Sequence, residues 1–286
     1  MKIWSKICKL LKKNPNNIAV INLSGVIGQV GKFDKGLNIN NVEPLLEKAF
    51  STKKLRAVAI NVNSPGGSPV QSELIHDRIK ELSIEKNIPV FTFANDIAAS
   101  GGYFILCAGK EIFASKSSII GSIGVISAGF GFEELIKKIG VSRRVYAQGK
   151  NKSILDPFQK EDKNSIKILN EAQKDVHELF KEIVKKSRGN KLKGKNAQEI
   201  DDKLFNGAFW SGQGALSHGL IDKIGNMRDI LQKKYSKKIK FINIEPKKKG
   251  FVKELLSSKS NNFEQNIIEN IAFKIKEEIY FNKFGL

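Results

Sequence analysis

From Ile18 onward the sequence alternates short apolar runs with longer amphipathic segments, a rhythm that calls for βα units and a layered α/β fold. The runs Ile18 to Leu23, Ala57 to Val62, Pro89 to Ala94, Glu111 to Ala114, Gly124 to Ser127 and Arg144 to Ala147 read as strands. Helices are expected over Asn41 to Ser51, Pro69 to Lys86, Gly101 to Cys107 and Phe132 to Ile139. In the second of these, Leu74, Ile75, Ile79 and Leu82 recur at helical spacing and give one apolar face for sheet packing. A longer helix is expected over Lys163 to Lys186, where Ile166, Leu169, Ala172, Val176, Leu179, Phe180 and Ile183 share a face.

This pattern divides the 286 residues into a body at 16–245 flanked by two appendages. In the leader, 1–15, Ile3, Trp4, Ile7, Cys8, Leu10 and Leu11 can share one helical face and lysines the other, before Asn14-Pro15 ends the segment. Such a leader can lie on an anionic membrane surface or dock on protein, and the residues alone leave both open. Beyond Pro246 a polar linker leads to Phe263, Ile267, Ile271, Ile275, Ile279 and Phe281, an amphipathic helical extension within 246–286. No window holds the ~18 to 20 apolar residues of a spanning helix, and no secretion signal pattern follows the start. The expected location is cytoplasmic, with peripheral association at the inner face of the membrane as the leader's option.

The formal charge of +20 invites a nucleic-acid reading, but only six of the 49 basic residues are Arg, and the lysines are spread rather than interleaved with aromatics. No nucleic-acid partner is expected. Cys8 and Cys107 form neither a redox pair nor a metal motif, and no phosphate-binding loop or zinc-ligand spacing occurs, so neither cofactor nor metal is expected.

The chemistry gathers at two turns. Ala99-Ser100-Gly101-Gly102-Tyr103 places a hydroxyl where an apolar strand meets a helix, with the first amides of that helix free to hold an anion. Asn63-Ser64-Pro65-Gly66-Gly67 ends another strand in a turn whose amides carry no side-chain obstruction, suited to an oxyanion hole, although Pro-Gly turns are common for purely structural reasons. A base for Ser100 is harder to find. His76 and His177 lie within helices as expected surface or packing residues, and His218, before Gly219, is the only histidine in a turn. Lysine can serve instead when desolvation keeps its amine neutral. The segment Gln148 to Phe158, which leaves a strand and ends in a proline turn, offers Lys150 and Lys152.

Taken in order, Asn63 to Gly67, Ala99 to Tyr103, Ile120 to Ile126, Lys150 to Pro157 and Trp210-Ser211-Gly212 with Gly219 to Asp222 resemble the signatures of SppA/SohB-type signal peptide peptidases, a Ser-Lys serine peptidase family. The resemblance runs from about Ile18 to Ile224. It implies an α/β fold of the crotonase-like, Clp-protease-like kind, a stacked βα superhelix with outer helices. It also implies Ser100 as nucleophile and Lys152 as general base, with Lys150 as rival. Gly66, Gly67 and Gly101 would provide oxyanion amides, and Ser122 would orient the lysine. Substrates would be unfolded or membrane-derived polypeptides such as cleaved signal peptides, and the protein would be a homo-oligomeric ring. Two departures stand out: Gly207 is followed by Ala208 where the family commonly has arginine, and Asn151 replaces the usual aromatic before the lysine. A crotonase-type acyl-CoA enzyme and a non-catalytic membrane- or nucleic-acid-binding scaffold are the alternatives.

Overall fold

The computed structural model describes residues 16–28, 36–246, 278 and 281–284; the leader and most of the C-terminal extension lie outside them. The first strand, β1 (Asn17–Ser24), is buried through Ile18, Ala19, Val20 and Ile21, as a central parallel strand covered on both faces must be. Helix α1 (Ile39–Phe50) follows, its first turn capped by the Asn38 side chain, which accepts from the Asn41 amide at 3.0 Å. β2 (Leu55–Ser64) leads through the glycine turn to α2 (Pro69–Glu85), where Ser68 caps and Pro69 supplies the preset φ of a first helical residue. Its buried face is Ser72, Ile75, His76, Ile79 and Leu82; Leu74, expected there, is exposed.

β3 (Val90–Ala99) runs five residues past the expected end at Ala94 and enters α3 (Gly101–Leu106) directly at Ser100. After it come β4 (Glu111–Ala114), β5 (Ile119–Gly121), the short α4 (Glu133–Lys138) and the long α5 (Lys163–Arg188). The chain then forms α6 (Ala197–Leu204), β6 (Phe209–Ser211), α7 (Gly212–Ser217), β7 (Lys223–Ile224), α8 (Met227–Lys234) and β8 (Lys240–Asn243). Eight strands form one sheet in the order β6-β5-β3-β2-β1-β8, with β4 joining β3 to β7. All pairings are parallel except β5 with β6. This mostly parallel, helix-covered sheet is the Clp-protease-like α/β architecture.

Strand alternation sorts the core into two layers. Ala19, Ile21, Val58, Ile60 and Val62 meet α1, α2 and α3 on one side, whereas Ile18, Val20, Ala57, Ala59, Phe91 and Phe93 meet Leu231 of α8 on the other. The small Ala57 and Ala59 share their layer with the large rings of Phe91, Phe93 and Phe113, the last two stacked at 4.9 Å between centroids. In such packing one added methylene pair costs about 1–3 kcal/mol.

β3 changes partner along its length. Phe91 to Ala94 pair with β4, and Ile97 to Ala99 pair with β5. Asn95 and Asp96 sit exposed at the fork. There the Asn63 side chain accepts from the Ile97 amide at 3.1 Å and donates to Asp96 Oδ2 at 3.0 Å, bridging the register shift between β2 and β3. Gly124 to Ser127 and Arg144 to Ala147 are not strands. Both fall in an arm, 124–162, that offers them no neighbouring strand. The arm holds the exposed Ile126 (77%), Phe130 (80%) and Tyr146 (92%), and α4 buries none of its own residues.

Candidate active site

Ser100 sits where β3 becomes α3, at φ 51° and ψ −122°. A non-glycine residue in such a region stores of order 1–3 kcal/mol, which the surroundings must supply. Here the Ser100 amide donates to the Gly121 carbonyl at 2.8 Å, extending the β3–β5 ladder, and the Ser100 carbonyl accepts from the Phe104 amide at 3.0 Å. The hydroxyl is therefore projected off the sheet at the N-terminus of a helix that buries every residue from Gly101 to Leu106.

The Pro65-Gly66-Gly67 turn is pressed against it. Gly66 has φ +106°, and a Cβ there would lie 2.7 Å from Ser100 Cβ and 2.9 Å from the Gly101 nitrogen. Gly67 likewise has no room for a side chain, because a Cβ would meet the Ile27 carbonyl. The Gly66 amide donates to Ser64 Oγ at 3.2 Å, whereas among the described residues the amides of Gly67 and Gly101 have no backbone acceptor.

Ser100 opens into a cavity of about 490 Å³, whose wall includes Gly67, Gly101, Ser122, Phe104, Phe180 and Phe205. Ser122, like Ser100, is a non-glycine residue at positive φ (53°), held by its amide donating to the Ala208 carbonyl at 2.7 Å. The two hydroxyl-bearing residues thus share one cavity. Lys152 does not line it. It lies exposed in the turn 150–155 of the arm, its amide donating to the Gly149 carbonyl at 3.1 Å. Lys150 lines a separate groove between the arm and the start of α5.

The histidines separate sharply. His76 is buried beneath α3, edge-on to the Phe104 ring and bonded to Asp77 at 2.7 Å; burial holds its pKa below the ordinary value. His218 packs edge-on against Trp210, and burial lowers its pKa too. Neither lines the cavity of Ser100. His177, expected at a surface or in packing, does line it. No sequence motif marks that position; only the 3.6-residue period of α5, which places His177 one residue after Val176 and three before Phe180, hints that it shares their side.

The closing motif is tied to the helix that follows Ser100. Tyr103, wholly buried three residues after Ser100, donates from its hydroxyl to the Leu220 carbonyl at 2.7 Å. Burial pushes that phenol well above its usual pKa, and pushes the adjacent Cys107 thiol up to about 12, so both stay neutral. Arg188, at the end of α5, donates to the Gly219 carbonyl at 2.9 Å and to Asp222 Oδ2 at 2.8 Å. Asp222 also accepts from the Ile112 amide and from Lys191, and hydrogen bonds from Arg188 and Lys191 hold its pKa low against the opposing effect of burial. Sequence reasoning reached Gly219 to Asp222 as a motif but missed Arg188, which has no fixed spacing from it.

Comparison with known proteins shows the family. The model of peptidase family S49 matches residues 83–240, more than half the chain, and that of Clp protease matches residues 38–120. A Brucella abortus protein named Na(+)/H(+) antiporter NhaA is 50% identical over 232 residues, covering 81% of this chain and 31% of that protein. A protein of Enterococcus faecium carrying the signal peptide peptidase SppA name is 30% identical over 227 residues, covering 77% and 64%. One of Buchnera aphidicola subsp. Schlechtendalia chinensis carrying the protease SohB name is 30% identical over 243 residues, covering 80% and 77%. The chain thus spans about a third of the first relative and under two thirds of the second. Among the described residues no helix is long and apolar enough to cross a membrane. The S49 match begins in α2 and runs through the Ser100 turn, the Ser122 turn and the Arg188–Asp222 clamp to β8, the Gly66 turn lies before it within the Clp protease match, and the chain belongs to peptidase family S49.

Proposed function

We propose that this protein is a serine endopeptidase in which Ser100 attacks a peptide carbonyl and Lys152 is the general base. The observation that carries the reading is the strained Ser100 at a helix N-terminus, flanked by the Gly67 and Gly101 amides, which have no backbone acceptor among the described residues, and open to a mostly apolar cavity. A neutral lysine amine takes the Ser100 proton as Oγ bonds to the carbonyl carbon, and the oxyanion lies against the turn amides. Collapse breaks the C–N bond, the lysine returns the proton to the leaving amine, and water, deprotonated by the same lysine, releases the acyl group as a carboxylic acid. Ser122, in the same cavity, orients the lysine.

Lys152 does not line that cavity within a single chain, and the reading therefore includes assembly. The arm that carries Lys152 exposes Ile126, Phe130, Leu135, Ile139, Val141 and Tyr146, more apolar surface than a monomer's arm needs. A second copy of the chain is the partner that covers this surface and brings an arm to a Ser100 cavity, in a homo-oligomeric ring. Unfolded peptides with apolar side chains, including membrane-derived ones, fit the cavity wall; the leader supports peripheral contact with an anionic membrane. The antiporter name of the Brucella relative is not carried over, because the S49 match is what covers the site.

The test is a serine-reactive acylating probe with mapping of the modified residue. Labelling at Ser100 that is lost in Lys152→Met but kept in Lys150→Met supports the dyad. Labelling elsewhere, or unaffected by Lys152→Met, removes it. Thioester hydrolysis that survives Ser100→Ala would favour the acyl-CoA alternative.

A further inference from the structure

Among the polar side chains that line the cavity beside Ser100 and that the proposed acyl transfer does not use, namely Ser72, His177, Asn206 and Lys283, one has a buried atom without a partner. His177, in the middle of α5, lines the same cavity, and its Nε2 is buried with no hydrogen-bond partner among the described residues. The wall around it is mostly apolar: Phe104, Phe180 and Phe205 are each at most 5% exposed, and Val176 and Leu179 flank it on the helix, while Ser72, Asn206 and Lys283 also line the cavity. A buried nitrogen without a partner in such a wall costs about 1–3 kcal/mol, and native folds retain such groups where something else completes them.

Resting on the peptidase reading, we propose that His177 is a substrate-recognising residue that selects a short hydroxyl side chain, threonine above all, at the peptide position filling this cavity. The chemistry narrows the ligand. A neutral imidazole presents Nε2 either as donor or as acceptor, according to tautomer, and a hydroxyl is both donor and acceptor and so satisfies either. A carboxylate only accepts, so it satisfies Nε2 in one tautomer alone, and although Lys283 also lines the cavity it would be stripped of water against three aromatic rings. The threonine methyl, in contrast, packs on those rings while its hydroxyl reaches Nε2. Valine has nearly the same shape but leaves the nitrogen unpaired, and a site built around a hydrogen bond discriminates against the substrate that lacks it.

The experiment uses the full chain and an unfolded peptide whose cleavage site has been mapped, with Thr and Val exchanged in turn at each of the three positions preceding the scissile bond. At one position the wild type is expected to favour Thr over Val by about tenfold in kcat/KM, the size of one hydrogen bond to a buried partner. His177→Phe should bring that ratio to about one or below, chiefly by raising turnover of the Val peptide, and His177→Gln should keep part of the Thr preference. Thermal melts of both variants confirm that they fold. A Thr:Val ratio unchanged in His177→Phe overturns the proposal. So does an equal fall in kcat for both peptides, which would make His177 a base or a structural residue, or a wild-type preference for Asp or Glu at that position. If wild type cleaves no peptide and the acylating probe leaves Ser100 unmodified, the peptidase reading fails and this proposal falls with it; labelled Ser100 with no selectivity sinks this proposal alone.

Discussion

Replacing Gly66 by alanine tests whether the glycine turn sets the position of the nucleophile. The new Cβ would lie 2.7 Å from Ser100 Cβ, 2.9 Å from the Gly101 nitrogen and 3.0 Å from the Ala99 carbonyl oxygen, and ordinary contact begins at 3.4 Å. Relief requires the two turns to separate by about 0.7 Å, the difference between 3.4 and 2.7 Å. None of these neighbours is the end of a flexible side chain, so the displacement falls on the backbone that holds Ser100. A misplacement approaching 1 Å costs about 10²-fold in rate. The φ of +106° adds strain of order 1–3 kcal/mol, which for a body of this size lowers the melting temperature by roughly 2–10 °C. Gly66→Ala should therefore remain folded at 25 °C yet acylate Ser100 about 100-fold more slowly. Gly129→Ala, at a site with nothing within 4 Å of the added methyl, is the control and should match wild type. Stopped-flow labelling with the acylating probe measures the rate, and a differential scan measures stability. A Gly66→Ala rate within threefold of wild type would refute the claim that this turn positions Ser100.

Other consequences are equally direct. Tyr103→Phe leaves the buried Leu220 carbonyl without its 2.7 Å bond and should cost about 1–2 kcal/mol in urea unfolding; no change in midpoint would remove the clamp from the account. His76 has a folded pKa below its unfolded value of 6.5 because of burial, so the unfolded chain binds the extra proton. Stability should thus decline as pH falls from about 6.5 toward the lower folded pKa and level off beneath it, and His76→Phe should flatten that limb in urea melts between pH 5 and 7.5. Replacing Phe130 and Tyr146, both exposed on the arm and outside the wall of the Ser100 cavity, by Ser and Asp should shift the protein to monomer in light scattering and abolish labelling of Ser100. A monomer labelled as fast as wild type contradicts assembly of the dyad between copies.

Much of the central sheet is legible from the sequence because its strands are long apolar runs: β1 and β2 extend the expected ranges by only one or two residues at each end. β3 reads short because Asn95-Asp96 looks like a turn, when it is the point at which the strand exchanges one neighbour for another. Gly124 to Ser127 and Arg144 to Ala147 have strand-like composition but lack a neighbouring strand, which no local pattern reveals. The same division holds at the site. Ser100, Gly66 and Gly67 are legible because a tight turn is a property of consecutive residues. Where Lys152 lies relative to Ser100, and that His177 reaches the cavity when His218 does not, depend on how α5 and the arm settle on the body, and these are relations between distant parts of the chain.

The exchange of partners by β3 has a consequence for how such a protein can vary. Its β2 side is locked along almost the whole strand, fixing where Ser100 emerges, while its other side is divided between β4 and the three-residue β5. β5 and its antiparallel neighbour β6 are brief, and the turns that follow and precede them, at Ser122 to Ile126 and Phe205 to Gly207, contribute to the cavity wall. Changes there alter the mould without moving the blade. A library confined to 124–125 and 205–207 should yield variants that cut different peptides while melting together with the parent, and one directed at Val58 to Val62 should yield mainly unfolded chains.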